Sequence, residues 1–184
     1  MKKIKFLSFT LFMVFVSSTF AQTDKEIRIM EDAERMKTEM LDRAEGLQEY
    51  FSKSAGYAIF PNVGKGGLII GGASGNGVLY DNGTAVGMAN LKELSVGFKA
   101  GGKAVAEVIF FESETDLEAF KNGSFELGAE ASAIAIKKGV SVNLKFTDGT
   151  AVFAMPKTGL MADASVAGQK FKYAPFQGEE NMGK

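Results

Sequence analysis

From Asp24 to about Ser52, apolar residues recur at Ile29, Ala33, Met36, Met40, Ala44, Leu47 and Phe51, a three-four spacing that predicts one long amphipathic helix. Thr23 or Asp24 stands where an N-cap belongs, and no proline interrupts the run. After Gly56 the period falls to two. Leu94, Val96, Phe98 and Ala100 alternate with Ser95, Gly97 and Lys99, and Val140, Val142, Leu144 and Phe146 alternate with Ser141, Asn143 and Lys145. Both runs predict half-buried strands with one wet face. Phe125, Leu127, Ala129, Ala131 and Ala133 form a third inward set, after which Ile134 and Ile136 fall on the other face. That break predicts a bulge or a strand covered on both sides.

The punctuation agrees with this reading. Asn82-Gly83 and Asp148-Gly149 each sit between apolar runs and predict tight hairpins, and Gly101-Gly102 predicts a third, joining 94–100 to 103–111. Between strands, Glu114–Lys121 reads as a short helix, with Ser113 and Asp116 at the capping-box offset and Asn122-Gly123 at its end.

The stretch "YAIFPNVGKGGLIIGGASGNGVLY", residues 57–80, raises the question of a phosphate loop. Such a loop needs Gly-Lys followed by Ser or Thr and then a helix, but Lys65 is followed by Gly66 and no helical period follows. The dinucleotide and nucleophile-elbow patterns fail as well. Glycine in strands marks bends and close backbone approach, so Tyr57–Phe60 and Leu68–Ile70 are expected as short buried strands with glycine corners between them.

Composition narrows the chemistry. The 184 residues include no cysteine, histidine or tryptophan, which excludes a thiol nucleophile, a disulfide framework, an imidazole base and the usual zinc site. Residues 1–21 read as an export signal: Lys2, Lys3 and Lys5 precede an apolar run from Phe6 to Phe20, and Thr19 and Ala21 are the small residues before the cut. Removing that segment takes three lysines and no acids from a formal charge of −1, leaving −4, which argues against a nucleic-acid binder. The helix adds to the acidity. It carries Lys25, Arg28, Arg35, Lys37 and Arg43 against Asp24, Glu26, Glu31, Asp32, Glu34, Glu39, Asp42, Glu45 and Glu49, unlike the basic face of a helix that lies on an anionic bilayer.

The segments "SAGYAIFPNVGKGGLIIGGASGNGVL", "AEVIFFESETDLEAFKNGSFELGAEASA" and "KTGLMADASVAGQKFKY" follow one another from about Ala55 to Tyr173. In that order they resemble the SYLF domain family. The resemblance implies a lipid-binding module with no catalytic residues. Eukaryotic members associate with phosphoinositide membranes, some bind actin filaments, and bacterial members are commonly exported. Here the helix is net acidic, the middle is short, and the family's frequent Trp after the first hairpin is missing. Lipid binding therefore carries over as a class, without a named lipid and without actin.

The expected organisation is a signal peptide at 1–21 and a single domain at 22–184, with a helix at about 24–52 and a β-rich body at about 55–176. Its expected fold is α+β: a mostly antiparallel, glycine-rich, barrel-like sheet led by the long amphipathic helix, with one short helix inserted. Lysines at expected turns, namely Lys65, Lys99, Lys103, Lys137, Lys138 and Lys157, together with the apolar Leu160 and Met161, are the candidate contacts to anionic phospholipid. The same lysines could instead keep sheet edges soluble, which leaves a structural or protein-binding module of the envelope as the alternative. A core that encloses one acyl chain is a third reading. Glu107, inside "AVAEVIFF", either faces solvent by alternation or is a paired buried acid. No spacing points to an enzyme, a metal or a cofactor, and the expected location is the periplasm, the outer-membrane surface or the medium.

Overall fold

The computed structural model describes residues 23–67, 70–96, 99–123, 125–127, 133–135, 142–157, 166 and 168–176, with backbone alone for 65–67, 70–71, 94–96, 99–103 and 133–135. Helix α1 (Asp24–Arg43) begins in a full capping box: the Thr23 hydroxyl accepts from the Glu26 N–H, and the Glu26 carboxylate accepts from the Thr23 N–H. The predicted single helix ends early. After Ala44 the chain turns through Gly46 at φ 87° and restarts as α2 (Leu47–Lys53). The Glu45 carbonyl at this break accepts from Val142 N–H at 2.9 Å, a long-range bond that an unbroken helix would forgo.

The remaining elements are β1 (Gly56–Gly67), β2 (Ile70–Asp81), β3 (Thr84–Val96), β4 (Lys99–Phe111), α3 (Glu114–Lys121), β5 (Ala133–Ala135), β6 (Thr150–Pro156) and β7 (Gln169–Pro175). They form one sheet in the order β5-β6-β4-β1-β2-β3-β7, antiparallel throughout except for the β5–β6 pair. The expected α+β fold is present, but the sheet is open, with β5 and β7 at its edges.

Its curvature follows from connectivity. β3 and β4 are joined by two residues, yet β1 and β2 lie between them, the β4-β1-β2-β3 order of a Greek key. In a flat sheet those strands would stand about 14 Å apart. Three chain steps reach only about 11 Å. The sheet must therefore roll at this end. A bond between strands from opposite sides of it confirms the roll: Gln169 Nε2 in β7 donates to Glu107 Oε2 in β4 at 3.3 Å.

The two faces bury different partners. Ala33, Met36 and Met40 of α1 and Leu47 and Phe51 of α2 cover Tyr57, Ile59, Val78, Tyr80, Val108 and Phe110 on the outer face. The inner face gathers Phe60, Leu79, Leu91, Ile109 and Phe111 with Leu117 and Phe120 of α3 and Phe171 of β7. Lys37 pins α1 in place. Its Nζ donates to Tyr57 Oη at 2.7 Å and lies 5.1, 4.9 and 5.8 Å from the ring centres of Phe51, Tyr57 and Tyr80. Tyr80 in that box is pushed well above the ordinary phenol range, first by burial and then by its hydrogen bond to Glu34.

Three sequence expectations need correction. The glycines of 57–80 are not corners between short strands. β1 and β2 run for 12 residues each, and the glycines lie within them. At Gly77 a Cβ would run into the Ile59 carbonyl oxygen, beside the register shift between Ile59 and Asn62, so the residue permits a close crossing of two backbones. Gly101-Gly102 is likewise internal to β4. It lies opposite the shift between Lys65 and Gly67, and the reversal falls between Val96 and Lys99. Finally, 142–146 forms no ladder although Val142 and Leu144 are buried as predicted. Tyr50 replaces the missing strand: its Oη accepts from Leu144 N–H at 2.9 Å and donates to the Leu144 carbonyl at 3.1 Å.

Other expectations hold. Asn82-Gly83 and Asp148-Gly149 have positive φ at both positions, as tight hairpin turns need. The Ser113–Asp116 capping box is formed.

Candidate functional site

Lys99 opens β4 directly after the reversal and Lys157 follows β6, whereas Lys65 and Lys103 lie inside strands. Lys65 lies in β1, and Lys99 and Lys103 lie in β4, so the notion that the last two bracket a turn is overturned by the continuity of that strand. Register nevertheless brings them together. Lys65 is the cross-strand partner of Lys103, and Gly67 is the partner of Lys99. Lys157, exposed just beyond β6, donates its N–H to the carbonyl of Ala104 at 3.1 Å, one residue from Lys103. Four lysines spread through the sequence thus stand toward one end of β1, β4 and β6. Lys137, Lys138, Leu160 and Met161 lie outside the described residues.

A second basic group was not anticipated. On the outer face, beyond the cover of the helices, Ser74 of β2 pairs with Lys92 of β3, which pairs with Lys170 of β7. Lys172 stands two residues further along β7, opposite Asn90. All three lysines are exposed. Glu126 Oε2 lies 3.4 Å from Lys170 Nζ, whereas Lys92 and Lys172 make no ion pair among the described residues. The Asn90 amide donates to Asn76 Oδ1 at 3.0 Å, extending the polar surface onto β2. A cleft of about 1100 Å³ is lined by these three lysines, Asn90, Phe125 and Phe171, among others. The signal in the sequence was the alternation Lys170-Phe171-Lys172, but nothing local indicates that Lys92 is its neighbour.

Glu107 resolves as the buried alternative. It is fully buried on the inner face, and the Gln169 amide bonds one carboxylate oxygen. Glu93 is also buried, opposite Gln169 in the β3–β7 register. Glu107 lies in the interior, whereas Glu93 stands in the wall of the cleft lined by Lys92 and Lys170. Among the described residues no group of acids is placed to hold a metal.

The chain matches the sequence profile of the Ysc84 family, described as Las17-binding protein actin regulator, over residues 92–175. It is also similar to beta cell expansion factor A of Aeromonas veronii, at 30% identity over 123 residues, which take in 66% of this chain and 46% of that protein. The chain thus spans about half the length of the curated relative it matches. On these matches the chain belongs to the SYLF family, a family of binding and regulatory modules.

Proposed function

We propose that this protein is a non-enzymatic module of the cell envelope that binds anionic phospholipid surfaces, exported by means of its first 21 residues as a single domain. The observation that supports the reading is the gathering of Lys65, Lys99, Lys103 and Lys157 at one end of the sheet by register alone. Each basic residue held near an anionic bilayer contributes about 1 kcal/mol, so four acting together would hold the protein at a membrane although its net charge is negative. No helix among the described residues is long and apolar enough to cross a membrane. Actin, the partner suggested by the family description, is not expected for an exported protein.

Co-flotation with neutral and with anionic vesicles, at low and high salt, tests the proposal. Binding should require anionic lipid, weaken with salt, and fall together in Lys65→Glu and Lys103→Glu. Absence of flotation under every condition would refute surface binding and favour a protein partner of the envelope, sought by crosslinking.

A further inference from the structure

We propose that Lys92, Lys170 and Lys172 form a second site, one that takes a dianionic phosphomonoester. This deepens the lipid-binding reading by naming a headgroup chemistry, and it rests on a different surface.

The argument begins with a repulsion. Lys92 and Lys170 are direct cross-strand partners, and like charges so placed are destabilising. Lys172 follows on the same face of β7, about 7 Å further along the strand. Protection of the edge strand accounts for lysines on β7. It does not account for Lys92, because β3 is paired on both sides, with β2 and with β7. Three exposed ammonium groups face one exposed carboxylate, that of Glu126 beside Lys170, leaving a surplus of two at the surface; the other acid of the cleft, Glu93, is buried in its wall opposite Gln169. The surplus of two positive charges matches a phosphomonoester, which carries close to two negative charges at neutral pH, better than a phosphodiester, which carries one.

Such a site should report the ionisation of its ligand. The chain contains no histidine, the side chain that ordinarily titrates near neutrality. The charged groups around the site are Lys92, Lys170, Lys172, Glu126 and, in the cleft wall, Glu93, and the second ionisation of a phosphomonoester falls at about pH 6. Binding should therefore weaken as pH falls through about 6.

The test compares vesicles doped with phosphatidic acid, a monoester, with vesicles doped with phosphatidylglycerol, a diester, at matched surface charge. The expected result is preference for phosphatidic acid, reduced about fivefold by Lys92→Gln and again by Lys172→Gln, and restored by Lys92→Arg. Lys65→Gln should lower both affinities and keep their ratio. Equal binding to the two vesicles, or a ratio unchanged in Lys92→Gln, overturns the site. Glycerol 3-phosphate separates the sources: displacement from phosphatidic acid vesicles, with amide shifts at residues 92, 170 and 172, supports a free monoester, and retention on the vesicles supports a lipid-borne one. If neither vesicle binds, the membrane reading fails, and the same amide shifts then decide this site alone. Their absence would end it.

Discussion

Two glycine substitutions in one strand pair should have opposite effects. A Cβ on Gly77 would overlap the Ile59 carbonyl oxygen and come within 2.7 Å of Phe60 Cδ1. Neither can retreat easily. The carbonyl belongs to the β1 backbone, and Phe60 is fully buried with its ring 5.7 Å from that of Phe171. Overpacking of this kind costs about 3 kcal/mol, only partly offset by the gain of up to about 1 kcal/mol when alanine replaces glycine in a strand. At Gly64 the nearest atom to a new Cβ is the Ser74 carbonyl oxygen at 4.0 Å, and the position is exposed. Gly64→Ala should therefore be neutral or stabilising by about 0.5 kcal/mol. The two variants should differ by about 3 kcal/mol, or about 6–12 °C in Tm for a chain of this size. Thermal unfolding followed by far-UV circular dichroism is the assay, since the chain lacks tryptophan. A Gly77→Ala variant within about 0.5 kcal/mol of the parent would refute the close-crossing account.

Three further outcomes are expected. Tyr50→Phe removes the hydroxyl that satisfies both backbone groups of Leu144, and should cost about 2 kcal/mol and speed amide exchange at that residue, measured by NMR. Lys37→Gln, which loses the charge held among three rings, should cost about 1–2 kcal/mol, with the loss visible in urea denaturation. Burial alone would lower the pKa of Lys121, but its bonds to Asp81 and Glu118, both 2.8 Å, outweigh that and hold it at about 12. Because the folded value lies above the unfolded one, this stabilisation is complete below about pH 10.5 and fades as pH rises through about 12. Lys121→Gln should be less stable than the parent at neutral pH and approach it in alkali.

Local chemistry was the legible part of the sequence. The Asn82-Gly83 and Asp148-Gly149 turns, the Ser113–Asp116 capping box and the inward alternation of Val142 and Leu144 depend on residues within a few positions of one another. What the sequence concealed was relational. The break at Gly46 rests on Val142, the missing ladder at 142–146 on Tyr50, and the run of β4 through Gly101-Gly102 on pairing with β1. The binding surfaces follow the same rule. Lys65 and Lys103, like Lys92 and Lys170, become neighbours only through strand order, which periodicity does not encode.

That strand order also bears on how the chain acquires its shape. β1 and β2 stand at the centre of the sheet, yet they are made first, and β1 gains its second neighbour only when β4, more than 30 residues later, is in place. Such distant pairings raise the contact order and slow folding, leaving β1 with an unsatisfied flank in the meantime. A delay of this kind would suit the export proposed above, in which the chain stays unfolded until it has crossed a membrane. It also means that the stretch matched by the family profile, residues 92–175, is not a folding unit. Cut there, the chain would keep both edges of the sheet and lose the strands that join them.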